Sequence, residues 1–104
     1  MAGLLAKATG RLQQATATIA ARGLADPEEA GAAASEYLRL FALVALAWAW
    51  ARMAVATAGR DDDFAKAKQH TATYYFTRVL PESSALFARI MSGKAAVALD
   101  EAAF

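Results

Sequence analysis

The chain has 104 residues, enough for one domain with a core, and its formal charge of +1 comes from 11 basic and 10 acidic residues that are interspersed. This pattern argues against a nucleic-acid-binding face, and the absence of cysteine excludes disulfides and thiolate metal sites and agrees with a cytoplasmic location. The 58% hydrophobic content is rich in alanine, the best helix former, and only two prolines interrupt it, so we expect an all-α protein.

The first predicted helix covers about residues 3–22, where Leu5, Leu12 and Ile19 recur at seven-residue spacing and form one apolar stripe. Gly23 follows and is the predicted stop. Asp26 can then cap a second helix, because its carboxylate accepts from exposed backbone N–H groups and the next residue, a proline, suits the first helical position.

The second predicted helix covers about residues 27–58, since nothing interrupts it before Gly59. At about 1.5 Å per residue it is about 48 Å long. A compact domain of this size has a radius of gyration near 13 Å. We therefore expect an elongated molecule.

The break at Gly59-Arg60 is so short that the next helix, about residues 61–79, must run antiparallel to the second. Pro81 ends or kinks that helix, and a further piece covers about residues 82–92. The predicted fold is an elongated antiparallel bundle of three long helices. The third is kinked or broken near Pro81 and gives a short fourth, and a tail at 94–104 completes a single helical domain over 1–104.

The stretch LFALVALAWAWAR, residues 40–52, is the most apolar part of the chain. Its uncharged run from Leu40 to Ala51 is shorter than the roughly 20 residues that cross a bilayer, and arginines bracket it at both ends. We predict a buried helix and no membrane span. A peripheral membrane module that uses an apolar face is the less favoured alternative.

This helix is apolar on nearly all sides, which normally means that it is surrounded. One predicted face carries Trp48 with Tyr37, Phe41, Val44 and Val55, and we favour this face for the internal core. The nearly opposite face supplies the candidate interface residues, which are Leu43, Leu46, Trp50 and Met53. Because the short chain covers only two sides of the helix, the third side requires another copy or the rest of a larger polypeptide.

No catalytic, cofactor-binding or metal-binding residue is predicted. The only histidine, His70, lies on a polar helix face and has no carboxylate neighbour at helical spacing. The run Asp61–Asp63 lacks the spaced ligands of a calcium loop and is interpreted as helix-capping charge. Tyr74, Tyr75 and Phe76 are assigned to the core rather than to a ligand site.

The order of these features resembles a known domain. Asp26-Pro27, YLRLF at 37–41, the tryptophan-bearing run, Arg52-Met53, the segment Ala72–Phe76, RVLPE at 78–82 and Gly93 are similar to the extra C-terminal helical domain of the longer bacterial acyl-CoA dehydrogenases, which include 3-methylthiopropanoyl-CoA dehydrogenase. The resemblance covers nearly the whole chain, and its most specific element is YLRLF paired with RVLPE.

In that family the domain follows a dehydrogenase body that binds FAD and supplies the catalytic glutamate. The resemblance therefore implies a non-catalytic appendage that supports assembly or oligomerisation, with FAD only in the parent enzyme. Its partners would be the dehydrogenase body of the same polypeptide, a second copy, or both. A free-standing helical dimerisation or adaptor module is the alternative, and Met1 is consistent both with an excised domain and with a separately encoded fragment.

Overall fold

A computed structural model describes residues 1–93, and the predicted tail at 94–104 lies outside the described residues. Its helices are α1 (Ala2–Ala25), α2 (Pro27–Thr57), α3 (Asp63–Tyr74) and α4 (Glu82–Ser92). A five-residue π-helical turn, Tyr75–Val79, joins α3 to α4. There is no strand within residues 1–93, which confirms the all-α prediction.

Helix α2 is the spine of an antiparallel bundle. On α1, Thr9 lies beside Trp48 and Thr16 lies beside Tyr37, so the two helices run in opposite directions. α3 and α4 follow each other along α2, and α4 also packs against α1. The molecule measures 63 × 28 × 17 Å with a radius of gyration of 17.5 Å, against about 13 Å for a compact chain of this length, which confirms the predicted elongation.

The junction between α1 and α2 is a single residue, Asp26. Its backbone N–H closes α1 by donating to the Arg22 carbonyl at 2.8 Å, while its side chain accepts from the Glu28 N–H at 3.1 Å and opens α2. The prediction that Gly23 ends α1 is wrong, because the helix continues to Ala25. The glycine serves close packing instead, since a Cβ at this position would lie 3.2 Å from the Ala30 Cβ.

The turn between α2 and α3 depends on Gly59, whose φ of +78° lies in the left-handed region that glycine tolerates. Asp62 caps α3 by accepting from the Ala65 N–H at 3.3 Å, and its carboxylate also accepts two hydrogen bonds from Arg60. These bonds from the guanidinium hold the pKa of Asp62 below its usual range. The capping interpretation of the aspartate run is confirmed.

The third helix bends at Leu80 and Pro81, as the kink prediction required. The N–H of Leu80 donates to the Tyr75 carbonyl at 2.8 Å, five residues back, which defines the π-helical turn. Pro81 has no N–H to continue the helical ladder and its ring crowds the preceding turn. The widened turn gives the proline room without ending the helical path.

The core lies on one side of α2 and follows Leu40, Val44 and Ala47, which are 0–2% exposed. Leu5, Ala8 and Ala15 of α1 cover this stripe from one direction, and Tyr75, Phe76, Leu86 and Ile90 cover it from the other. Arg22 of α1 donates to the Met91 carbonyl at 3.2 Å at the end of α4, and Gly93 then stops α4 with a φ of +72°.

Candidate functional site

The side of α2 that faces away from the core is apolar along most of its length. We call it the outer α2 surface, and its large members are Leu38, Phe41, Leu46, Trp48, Met53 and Val55. Their exposed fractions run from 40% at Met53 to 79% at Val55. Ala42, Ala45, Ala49 and Ala56 lie between them and are also exposed. The only charged residues along this stretch of the helix are arginines, Arg39 and Arg52.

The two tryptophans have the opposite placement from the one predicted. Trp48, which was favoured for the core, is 50% exposed, and its Nε1 donates to the Thr9 Oγ1 at 3.2 Å. Trp50 is the half-buried one and packs against the core cluster. The Lys68 Nζ lies 5.8 Å from the Trp50 ring centroid and 5.2 Å from that of Phe64, both cation–π distances.

The four candidate interface residues do not share one exposed face. Leu43 is 7% exposed and belongs to the chain's own core, so it leaves the set. Leu46 at 51% and Met53 at 40% remain exposed, and Trp50 lies at the boundary of the core. The reason is that α1 covers α2 from one direction, while α3, the π-helical turn and α4 cover successive parts of it from another. Each of the two predicted faces is therefore divided, with one part inside and one part outside.

The residues that the sequence argument missed are Leu38, Phe41 and Val55 on the outer surface. Leu38, Phe41, Ala45 and Trp48 recur every three or four positions and Val55 follows seven positions later, so they line one edge of the helix. This spacing was the available signal. Phe41 and Val55 were predicted for the core together with Trp48, because an apolar stripe at helical spacing usually faces inward, and Leu38 was assigned to neither face.

The two most specific sequence motifs meet in space. Arg39 of YLRLF donates to Glu82 of RVLPE through two hydrogen bonds, Nε to Oε1 at 2.6 Å and Nη2 to Oε2 at 3.0 Å. This paired geometry holds the pKa of Glu82 below its usual range and raises the pKa of Arg39. The ion pair therefore joins the middle of α2 to the first residue of α4, directly after the bend.

A buried hydrogen bond fixes the other side of the bend. The Tyr75 hydroxyl donates to the Leu43 carbonyl at 2.5 Å, and burial raises the pKa of this phenol. Phe76 packs edge-on against the Tyr75 ring with centroids 6.0 Å apart. Of the three neighbouring aromatics assigned to the core, Tyr75 and Phe76 are buried, whereas Tyr74 is 57% exposed.

Two open apolar grooves flank Trp48. The larger has a volume of about 630 Å³ and is lined by Leu5, Ala51, Val55 and other small side chains, with Arg52 and Gln69 as its polar members. The smaller, about 420 Å³, runs along α1 past Ala6, Thr9 and Gly10. The indole of Trp48 thus forms a ridge between two depressions. Such relief suits the packing of another helix or polypeptide surface more than the recognition of a charged small molecule.

The polar residues considered for chemistry are not brought together. His70 is exposed, as predicted, and the aspartates of the 61–63 run make local ion pairs with Arg60 and Lys66. Within residues 1–93, no group of three or more acidic or imidazole side chains is arranged to hold a metal ion. Gln69 of α3 is used structurally, since its Nε2 donates to the Ala54 carbonyl and the Thr57 Oγ1, both at 2.6 Å.

Among the described residues, α2 is the one helix long and apolar enough to cross a membrane by length and composition. Core helices of soluble proteins pass the same test. The full helix extends well beyond the uncharged run of 40–51, because it begins at Pro27. This earlier part is rich in alanine but also carries Glu28, Glu29 and Glu36. The prediction of no membrane span therefore stays a prediction.

Comparison with known proteins agrees with the geometry of the bundle. A family model described as acetyl-CoA dehydrogenase C-terminal like matches residues 1–100. No curated protein and no solved structure matches the chain. Since the family match spans both YLRLF and RVLPE and nearly all of the sequence, the chain belongs to the acetyl-CoA dehydrogenase C-terminal-like family.

Proposed function

We propose that this chain is the non-catalytic C-terminal helical domain of an FAD-dependent acyl-CoA dehydrogenase of the longer bacterial type. In this role it supports the assembly or oligomerisation of a cytoplasmic enzyme that oxidises acyl-CoA thioesters. Membership of the family supports the parent-enzyme context. The outer α2 surface supports the assembly role, and it is the single observation on which that role rests.

The outer α2 surface has the composition of a protein interface. Trp48 and Phe41 expose about half of their side chains, and Leu38 and Val55 expose 69% and 79%. Soluble monomers rarely leave contiguous apolar patches larger than a few hundred Å² in water. Aromatic anchors surrounded by small residues are typical of interface centres, where a few side chains supply most of the binding free energy. We therefore assign this surface to contact with the dehydrogenase body, a sister subunit, or both.

The bundle presents this surface on a braced helix. The Arg39–Glu82 pair and the Tyr75–Leu43 hydrogen bond attach α4 and the π-helical turn to the inner side of α2. Within residues 1–93 the outer side stays largely exposed, although Trp48 contacts Thr9 of α1 at its edge. A rigid helix that offers one apolar side binds with a smaller loss of conformational entropy than a flexible segment would.

The residues that the structure describes, 1–93, do not fit FAD. A flavin dinucleotide site needs polar groups that converge on the pyrophosphate, commonly at a glycine-rich turn before a helix. The larger groove beside Trp48 is lined mainly by alanine and aliphatic side chains. We therefore place the flavin and the catalytic base in the dehydrogenase body, as the resemblance implies, and derive no chemical step in this domain.

The test is binding of this chain to its dehydrogenase body, measured by light scattering after size-exclusion chromatography. We expect a complex for the natural chain and at least tenfold weaker binding for Trp48→Gln and Leu38→Gln. Leu24→Gln is the matched control, because Leu24 is 91% exposed and lies outside the outer α2 surface. A monomer that never binds the body would refute the proposal, and so would stoichiometric flavin absorbance on this chain alone.

The same surface also favours a second candidate, a free-standing dimerisation or adaptor module. An apolar edge with alanines between the large residues allows two copies of α2 to approach closely. The two functions differ in one measurement. A stable dimer of the chain alone, with no affinity for a dehydrogenase body, would favour the adaptor.

Contact with lipid is the remaining use of an apolar helix surface. We propose that protein covers the outer α2 surface, because the two cations that α2 itself carries along this surface, Arg39 and Arg52, are few for a helix that binds anionic lipid. Co-sedimentation with vesicles of phosphatidylglycerol and phosphatidylcholine tests this. We expect the chain to stay in the supernatant, and partitioning into the pellet would contradict the assignment.

A further inference from the structure

A small cavity lies between α1 and the bend. Its volume is about 180 Å³, and its lining is mostly apolar, from Leu4, Phe76, Leu80 and Pro81, while Lys7, Arg11, Ser83 and Ser84 supply its polar groups. At about 30 Å³ per water molecule, the space equals about six waters. It is separate from the grooves beside Trp48 and from the outer α2 surface.

The charge at this cavity is positive and uncompensated. Helix α1 contains no acidic residue, and Lys7 and Arg11 lie one helical turn apart, where like charges repel. Neither forms an ion pair within the described part of the chain. Glu82, the acidic residue that follows Pro81 at the bend, already forms an ion pair with Arg39. Two cations therefore face one cavity without a carboxylate partner.

The Ser83 hydroxyl is the second feature. Ser83 is 1% exposed, and its side chain makes no hydrogen bond within residues 1–93. Every fully enclosed side-chain oxygen in that range has a hydrogen-bond partner. The small accessible area of Ser83 must therefore be at its hydroxyl, and the surface that Ser83 lines is this cavity. A nearly buried hydroxyl without a partner needs one to offset its desolvation.

The start of α4 supplies no free backbone donor to this cavity. α4 begins at Glu82, and the helical path continues into it from the π-helical turn through Leu80 and Pro81. The N–H groups of Ser83 and Ser84 already donate to the Leu80 and Pro81 carbonyls at 2.9 and 3.1 Å. The donors for a ligand are therefore the side chains of Lys7, Arg11 and Ser83 rather than the backbone.

We propose that this cavity binds a phosphate-type oxyanion. Arg11 would bind two oxygens through its planar guanidinium, Lys7 would supply a second charge, and the Ser83 hydroxyl would donate to a third oxygen. The ligand is free inorganic phosphate or a soluble phosphate monoester. The site is independent of the proposed assembly role, because it shares no residue with the outer α2 surface.

The experiment is a titration of the full chain with inorganic phosphate at constant ionic strength. Calorimetry measures the heat of binding, and NMR monitors the backbone amide shifts of Lys7, Arg11, Ser83 and Ser84. We expect saturable shifts at these four residues. Arg11→Gln should weaken binding about ten- to a hundredfold and Ser83→Ala about two- to tenfold, since bonds to charged groups contribute more than neutral ones. Arg52→Gln is the matched control and should bind as tightly as the natural chain, because Arg52 lies at the groove beside Trp48.

Thermal unfolding of each variant, followed by circular dichroism, shows whether it is folded before binding is compared. If Arg11→Gln does not fold, the more conservative Ser83→Ala variant carries the test. Equal weakening by Arg52→Gln would mean nonspecific charge screening and would overturn the proposal. So would shifts that never saturate. A third contradictory result is binding to phosphatidic acid vesicles with no binding of free phosphate, because that would assign the charge to a membrane surface.

Discussion

Two leucines on α2 provide the simplest test of how this helix is rotated about its own axis, that is, of which side faces the core. Leu40 is 0% exposed and Leu38 is 69% exposed, although they are only two residues apart. Leu40→Ala removes three buried carbon groups at about 0.8 kcal/mol each, or about 2.4 kcal/mol. The cavity left behind raises the cost to about 3–5 kcal/mol. For Leu38→Ala only about a third of the side chain is out of water, so the transfer cost is about 0.8 kcal/mol and no cavity forms.

The assay is urea unfolding of both variants, followed by far-UV circular dichroism at two protein concentrations. We expect the free energy of unfolding to fall by about 3–5 kcal/mol for Leu40→Ala at both concentrations. Leu38→Ala should cost less than about 1 kcal/mol at low concentration, and any larger loss at high concentration would report weakened association. Equal losses for the two variants at low concentration would show that the assigned rotation of α2 is incorrect.

Three further predictions follow from the hydrogen bonds and the turn. Tyr75→Phe should cost about 1 kcal/mol of unfolding free energy in urea. Because burial raises the pKa of Tyr75, the natural chain should also lose stability as the pH rises above about 10, where the unfolded phenol ionises first, and the variant should lose less. Because Arg39 lowers the pKa of Glu82, the contribution of Glu82 to folding stability is complete above about pH 4.5 and is lost as the pH falls through the pKa of the folded state. In thermal melts between pH 7 and pH 3, the melting temperature of Glu82→Gln should therefore fall less than that of the natural chain. An equal fall would contradict the role of Arg39. Gly59→Ala should lower the unfolding free energy by about 1–2 kcal/mol, since φ is +78° there, and an unchanged urea midpoint would argue against that backbone conformation.

The helix order could be predicted because local chemistry marks the helix ends. Asp26-Pro27, the aspartate run before α3 and Gly93 each begin or end a helix through groups that are adjacent in sequence. Gly23 misled the prediction because its role is set by Ala30, which approaches it only once α2 has folded back. The π-helical turn was also missed, since its cause is the accommodation of Pro81 in a helix that the core keeps continuous.

The sequence could not predict which side of α2 faces the core, because the helix has almost no polar face. In most helices charged residues mark the solvent side. Here alanines lie on every side, and the two predicted faces, represented by Trp48 and Trp50, are equally apolar. The directions from which α1, α3 and α4 pack against α2 decide which of its residues are buried, and this information is tertiary. The resemblance did identify the family, and in this chain the Arg39–Glu82 pair joins the two segments, YLRLF and RVLPE, on which the resemblance most depended.

Acrylamide quenching of Trp48 fluorescence in a Trp50→Phe variant measures most directly whether a protein partner covers the outer α2 surface. In the chain alone Trp48 is 50% exposed, so acrylamide should quench it readily. On addition of saturating dehydrogenase body, the account predicts that the quenching constant falls several-fold. An unchanged quenching constant in a mixture that forms a complex would show that the partner binds elsewhere, and it would contradict the central claim.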